Sequence, residues 1–228
     1  MTPIISVIMT NKGHEAYIEQ SVASVLGQKG ITNFELLIMN DDPEIKLNLY
    51  ESRDNRIIVF EDGKSLGQAK RLEQGIELAK GEYICLLDAD DWMVENRFQI
   101  CLNRAWSDVN VVHGDKIVVH QDGTRTYNKA KEFNINEFRK RNMFSTGSLM
   151  LRAKCAKQIK FPFAGYGNLW GYMMAFYKKF PEGFQYVNYP MFYYRDYTSV
   201  IGVRDKRVKH RLYRAWLRKK VNEILDNG

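Results

Sequence analysis

The sequence predicts an α/β protein with a mainly parallel, Rossmann-like central sheet flanked by helices. Two observations carry that prediction. Short, largely apolar runs read as buried strands: Tyr83–Leu87, uninterrupted and so buried on both faces, and Ile4–Met9 and Phe34–Met39, each with a single polar residue. Each run stops in acids or turn formers, and helical patterns lie among them, so strands and helices alternate over the first hundred residues.

Taken in order, Ile4–Met9 is the first strand. A polar turn over Thr10–Gly13 follows, then a helix with Tyr17, Ile18, Val22, Val25 and Leu26 on its apolar side. Phe34–Met39 ends in Asn40-Asp41-Asp42-Pro43, and a third strand, Arg56–Phe60, ends in Glu61-Asp62-Gly63. Residues 68–80 form a helix with Ala69, Leu72, Ile76 and Ala79 inward, and Gly81 closes it before the strand Tyr83–Leu87. Beyond residue 107 the pattern becomes mixed α+β: a β-like Val109–Val119, a hairpin signal at Gln121–Thr124, and crowded aromatics from Phe161 to Tyr197. Residues 204–226 form a terminal amphipathic helix with Val208, Leu212, Trp216, Val221 and Leu225 on its apolar side. The expected organisation is a domain over 1–202, with halves 1–106 and 107–202 sharing one core, and a basic helix over 203–228.

Composition narrows the function. The 228 residues are 45% hydrophobic, enough for a substantial core, and no run approaches the roughly 20 apolar residues that span a bilayer. The N-terminus lacks a basic segment followed by a secretory apolar block, so a cytoplasmic protein is expected. Three cysteines and four histidines are scattered without metal-ligand or disulfide spacing. The net charge of +7 is concentrated in residues 203–220, which hold nine Lys or Arg against one Asp.

Asp88-Ala89-Asp90-Asp91 is the most informative segment. Three carboxylates at the tip of a buried strand repel one another unless something positive sits among them. Carboxylate oxygens suit Mg²⁺ or Mn²⁺, cations that keep positions open for water and substrate phosphates, and so point to a phosphorylated substrate. The plain alternative for Asp91 is an N-cap on a helix starting at Trp92. The first turn, Thr10-Asn11-Lys12-Gly13-His14, lacks the glycine-rich pyrophosphate fingerprint of dinucleotide oxidoreductases.

Several segments together resemble family 2 glycosyltransferases of the GT-A fold, the nucleotide-diphospho-sugar transferases. They are Ser6–Thr10, Ser21–Gln28, Phe34–Asp41, Gly75–Ile84 and Leu87–Asp91, with weaker matches at Gly147–Met150 and Tyr193-Tyr194-Arg195. The resemblance covers roughly residues 3–200. It implies that Thr10 and Asn11 line the nucleotide pocket and that Asp41 hydrogen-bonds the nucleobase, commonly uracil. It also implies that Asp88-Ala89-Asp90 carries the metal motif, Asp88 near ribose and metal, Asp90 bridging an Mn²⁺ or Mg²⁺ ion and the diphosphate. The expected reaction moves a sugar, with inversion, from a UDP-sugar to a hydroxyl of a glycan or lipid-linked glycan.

The chain departs from that pattern at informative places. The family draws its base from a Glu-Asp pair at a helix start, and the corresponding segment here is Gly167-Asn168-Leu169-Trp170, which has no carboxylate. Asp115, Glu182 and Asp196 are the alternative bases. Asp196 also follows Tyr194-Arg195 where the family often has a metal-binding His, and a carboxylate there is a hard ligand. Lys70 and Arg71 stand just before the position of the family's Arg-Asn, within expected reach of the diphosphate. Tyr166 and Trp170, flanked by glycines, are candidates for stacking an acceptor sugar.

The basic tail has three readings: attachment to an anionic membrane at the inner face, nucleic-acid binding, or a solvated helix packed by its apolar stripe. The nucleic-acid reading extends to a transferase acting on hydroxymethylated bases of phage DNA. A nucleotide-sugar-binding protein without turnover is the alternative from another class, motivated by the missing Glu-Asp pair.

Overall fold

The structure is a computed structural model that describes residues 2–165, 167–196 and 207–226, the last segment with side chains from Tyr213 onward. The first half runs β1 (Ile5–Asn11), α1 (Glu15–Leu26), β2 (Phe34–Asn40), β3 (Ile57–Phe60), α2 (Gln68–Leu78) and β4 (Tyr83–Asp88). All of its ladders are parallel, in the order β3-β2-β1-β4, with Thr10 beside Asp88 and Asn11 beside Asn40. That register brings the ends of β1, β2 and β4 to one edge.

The second half contains β5 (Trp92–Met93), α3 (Arg97–Leu102), β6 (Val111–Val119), β7 (Arg125–Asn128), α4 (Ile135–Phe138), β8 (Met150–Arg152), α5 (Ala153–Ala156), α6 (Asn168–Lys179), β9 (Phe184–Arg195) and α7 (Arg207–Asp226). It continues the same sheet in the order β4-β8-β6-β9-β5, with β7 paired to β6. The short β8 is antiparallel to both β4 and β6, so β6 runs in the direction of β4, and β9 lies parallel to β6. The carboxyl ends of β4, β6 and β9 therefore share the edge where the first half ends.

Helices cover both faces of the sheet. One core joins Ile8, Leu37 and Leu86 to α2, α5, α6 and α7, while the other packs Ile5, Val7 and Met9 against α1 and α3. The α2 helix comes so close to β1 that a Cβ on Gly75 would stand 2.5 Å from Ile8 Cγ2. In α7, Leu217 and Val221 are buried while Trp216, expected on the apolar side, is 46% exposed, so the helix packs by an apolar stripe rotated from the expected one; the side chains of Val208 and Leu212 lie outside the described residues. The described residues contain no helix long and apolar enough to cross a membrane. Cys85, Cys101 and Cys155 are free and buried.

One local expectation is overturned. Trp92 does not start a helix: Trp92 and Met93 pair with Tyr193 and Phe192 of β9, and the next helix begins at Arg97. Pairing with β9 and the stack of Trp92 on Tyr193 at 5.0 Å hold this stretch extended. Asp91 accordingly caps no helix.

Candidate active site

The acidic tip is held in place by buried polar groups from elements distant in sequence. The Ala89 N–H donates to Thr10 O at 3.1 Å, and the Ser21 hydroxyl of α1 sits against the carbonyl oxygens of Ala89 and Asp91. Ser24 accepts from Met93 N, and the Gln28 amide spans Val94 O and Phe98 N. The Ser21–Gln28 segment thus serves as the tip's buttress. On the other side, the Arg195 backbone N–H donates to Asp91 Oδ1 at 3.0 Å and its guanidinium to Asp90 O at 2.8 Å, between the rings of Tyr17 and Trp92.

Within this frame the carboxylates are crowded. Asp88 accepts from Gln68 Nε2 at 2.7 Å and Thr10 Oγ1 at 3.3 Å, yet burial and the charge of Asp90 raise its pKa to about 6. Burial, then Asp88 and Asp90, push Asp91 well above the usual carboxylate range. His14 Nδ1, buried without a hydrogen bond, stands 3.9 Å from Asp90 Oδ2. No three His, Cys, Asp or Glu side chains among the described residues form a metal cage. Asp88 and Asp90 could hold a hard divalent cation whose remaining positions go to water and phosphate oxygens.

Asp41, at the end of β2, is brought to the same edge. Its carboxylate accepts from Leu66 N at 2.6 Å, Gly67 N, Ser65 Oγ and Arg71 Nε. Gly67 presents its N–H from φ +87°, a conformation that favours glycine. Asn11 lies beside it, buried, with Nδ2 on Asn40 Oδ1 and its own Oδ1 unpartnered. Arg71 corrects the expectation of a diphosphate ligand: it is fully buried, with its N–H groups on Asp41, Asp62, Gln74 and Lys64 O. It fixes the acid and the preceding loop instead. Lys70 is exposed and pairs with Glu73 at 3.0 Å, on the side of α2 whose Glu73 meets Phe161 N, so it contacts none of the tip acids.

The base candidates separate by position. Asp115 is buried and saturated by Tyr127 Oη, Tyr186 Oη and Ala130 N, which leaves its carboxylate structural. Glu182 lies in the turn before β9, where its carbonyl accepts from Asn110 at the start of β6, at the sheet edge opposite the acids. Those two expectations fail on burial and topology. Asp196 sits just past β9 at the correct edge, 52% exposed, with Oδ2 3.3 Å from His120 Nδ1.

A cleft of about 600 Å³ opens from Asp88 and Asp91 toward α6 and α7. Asn168, first residue of α6, lines it and donates to Gln68 Oε1 at 3.3 Å, so the segment lacking the expected carboxylates does reach the acidic tip. Trp170 touches the cleft wall, but it is 5% exposed and its indole N–H donates to Phe138 O, so most of the ring is core rather than a stacking platform. Tyr166 lies outside the described residues, as do the tail residues before Arg207.

Sequence reasoning missed Gln68, Lys116 and the clamping role of Arg195. Gln68 follows the turn glycine Gly67 at a helix start facing the strand ends, which was an available signal. Lys116 had none, because a bulge between Gly114 and Lys116 decides which way that stretch of β6 faces.

A nucleotide-type α/β edge with crowded acids beside a cleft is the class of site the geometry defines. The family model of glycosyl transferase family 2 matches residues 6–168, and the chain belongs to that family. It is 26% identical to the putative glycosyltransferase EpsH of Bacillus subtilis, over 90% of this chain and 64% of that protein. It is also 26% identical to an uncharacterized glycosyltransferase of Methanocaldococcus jannaschii, over 70% of this chain and 59% of that one. The glucosyltransferase WfgD of Escherichia coli, named for UDP-Glc and a GlcNAc-diphosphoundecaprenol acceptor, is 25% identical over 52% of this chain and 48% of its own.

Among solved structures, S. aureus TarS 1-349 in complex with UDP superposes with a TM-score of 0.67 at 17% identity, over 84% of this chain and 60% of that one. The mannosyltransferase PcManGT of Pyrobaculum calidifontis, in complex with GDP-Man and Mn²⁺, gives 0.63 at 13% identity, over 89% and 59%. The fold is therefore GT-A. The chain spans about three fifths of the length of several of these relatives.

Proposed function

We propose that the chain binds a nucleotide-diphospho-sugar, most simply a UDP-sugar, and transfers the sugar to a hydroxyl of a glycan or lipid-linked glycan. The observation that carries this reading is Asp88, half-buried beside Thr10, crowded by Asp90, at the edge that also holds Asp41. Carboxylates raised in pKa by burial and then by one another at a strand-end cleft would be relieved by a cation or a positively charged ligand. The donor named for WfgD and the UDP bound to TarS support the nucleotide assignment by analogy.

In this reading Asn11, whose Oδ1 is unpartnered, meets the base beside Asp41, whose carboxylate is already bonded by Leu66, Gly67, Ser65 and Arg71 and holds that loop; Thr10 meets the nucleoside, and Asp88 and Asp90 would hold Mn²⁺ or Mg²⁺. When bound, that ion would stabilise the negative charge that develops on the departing diphosphate. Gln68 and Thr10 keep the Asp88 carboxylate aimed at the cleft, and Arg195 and Ser21 keep the tip from relaxing away from it. The acceptor hydroxyl would lose its proton to a base, with inversion at the anomeric carbon, and Asp196, just past β9 and outside the lining of the cleft, is the remaining expected carboxylate for that role.

A second reading, nucleotide-sugar binding without turnover, is favoured by Asn168 at the head of α6, since an amide accepts no proton. A thermal-shift screen of UDP-, GDP- and dTDP-sugars with and without Mn²⁺ tests binding, because a ligand of the folded state raises Tm. Transfer or hydrolysis of the binding donor separates the readings. No stabilisation by any nucleotide sugar would contradict both.

A further inference from the structure

The cleft beside the acidic tip has a charge that donor binding does not use. Its walls carry Lys116, Lys140, Arg141, Arg214 and Arg218, opposed by Asp88 and Asp91. Thr10, Asn11, Lys12 and Asp41 do not line it, and Gln68 bonded to Asn168 marks the boundary between the two regions. The cations come from three separate elements: Lys116 from β6, Lys140 and Arg141 from just after α4, and the two arginines from α7. Their convergence is a property of the fold rather than of one basic run.

These charges are poorly compensated. Lys140 and Arg141 share the single carboxylate of Glu137, at 3.0 and 3.2 Å. Arg214 and Arg218 form no ion pair among the described residues. Lys116 is half-buried, with Nζ 4.4 Å from the centre of the Tyr194 ring and 3.4 Å from Ser145 Oγ, and no carboxylate lies within 4.0 Å of it among the described residues. Asp91 and Asp196 balance this charge only from beyond ion-pair distance, and burial still lowers the Lys116 pKa, so a bound anion would offset the cost of its partial desolvation.

The α7 helix is a fixed wall here. Leu217, 2% exposed, and Val221, fully buried, seat it against α6, and a Cβ on Gly167 would lie 2.3 Å from Leu217 Cδ2. Arg214 and Arg218, one turn apart, flank Leu217 and so reach the cleft mouth. Much of the described part of the basic tail is thereby accounted for by what it presents to the cleft.

We propose that the acceptor carries a phosphate group, received in this cleft by Lys116, Arg141, Arg214 and Arg218 while its hydroxyl lies at the acidic tip. This rests on the donor reading above. Guanidinium forks match phosphate oxygens bidentately, and several cations converging on one concavity select an anion over a neutral sugar. A concavity of about 600 Å³ admits a sugar phosphate. The phosphate belongs either to a soluble phosphorylated glycan or to the headgroup of a lipid-linked one.

The test uses the full chain with its donor site filled by saturating UDP and Mn²⁺, after the UDP affinity itself has been measured. Calorimetric titration compares hexyl glucoside with hexyl glucosyl phosphate, and sedimentation compares phosphatidylglycerol with phosphatidylcholine vesicles. We expect the phosphate probe to bind at least about tenfold more tightly than the neutral one, with an advantage that shrinks as salt rises. The R214Q/R218Q double variant should lose most of that advantage while keeping its UDP affinity and Tm. Vesicle binding that survives competition by the soluble phosphate probe, or binding of a DNA oligonucleotide without binding of that probe, would overturn the assignment to the cleft. Equal affinity for the two hexyl probes while UDP binds would overturn this inference alone, and absence of UDP binding would bring down the donor reading and this inference together.

Discussion

Asn168 donates to Gln68 Oε1 at 3.3 Å, and Gln68 in turn donates to Asp88 at 2.7 Å, so the first turn of α6 is linked to the acidic tip through one side chain. This relay ties the cleft wall to the carboxylate beside Thr10. Gln68→Ala should lower donor turnover by about tenfold, roughly one hydrogen bond to a charged group, with Tm shifted little. Steady-state kinetics against a melting curve checks it, and an unchanged kcat/KM would remove the relay from the account.

Arg195 is expected to matter for stability as well as for activity. It is 8% exposed, bonds the Asp91 carboxylate through its backbone and Asp90 O through its side chain, and lies 4.5 and 4.6 Å from the ring centres of Tyr17 and Trp92. Arg195→Ala should cost about 2 kcal/mol, because it removes the ring packing and the side-chain donor to Asp90 O while the backbone bond to Asp91 remains. Urea denaturation measures it, and a loss below about 0.5 kcal/mol would show that the guanidinium does not clamp the tip.

The crowding at Asp88 predicts a trade between stability and function. Its folded pKa is about 6, above the ordinary 3.8, so its contribution to stability is fully present below about 3.8 and is lost as pH rises through 6. Asp88→Asn should therefore raise stability at pH 7.5 by on the order of 2 kcal/mol, discounted for partial solvent access, and change it little at pH 4. The same substitution should abolish cation-dependent nucleotide binding. Equal stability changes at the two pH values would contradict the electrostatic explanation.

His113 sets the opposite dependence. It is fully buried between Phe144 and Tyr186 with neither ring nitrogen bonded, and burial lowers its pKa from 6.5 to about 4. A depressed histidine contributes stability that is present above 6.5 and lost progressively as pH falls towards 4, when the unfolded chain gains the proton first. His113→Leu should flatten the decline in stability between pH 6.5 and 4 by about 3 kcal/mol. Chemical denaturation across that range reads the slope directly.

The parallel half of the fold was legible because each strand is a largely apolar run ending in acids or turn formers, a pattern that follows from burial of the sheet. Asp88 ends β4 at the shared strand edge for the same reason, whereas the N-cap reading of Asp91 failed because Trp92 pairs with β9. Arg71 was misjudged because its burial comes from the loop Asp62–Gly67 folding over it, which local helical spacing does not report. Asp115 and Glu182 were likewise indistinguishable from usable bases until the β6–β9 pairing put one in the interior and the other at the far edge. The cationic cleft was invisible because its charges come from three elements, and only α7 announced its own.

The most direct test of a cation-assisted nucleotide site is calorimetric binding of UDP, with GDP and dTDP as comparisons, to the wild type and to Asp90→Ala, each with Mn²⁺ and with EDTA. The account predicts binding of one nucleotide that is strong with Mn²⁺, weakened at least about tenfold by EDTA, and weakened to the same level with or without the metal in Asp90→Ala. Nucleotide affinity indifferent to both Mn²⁺ and Asp90 would contradict it.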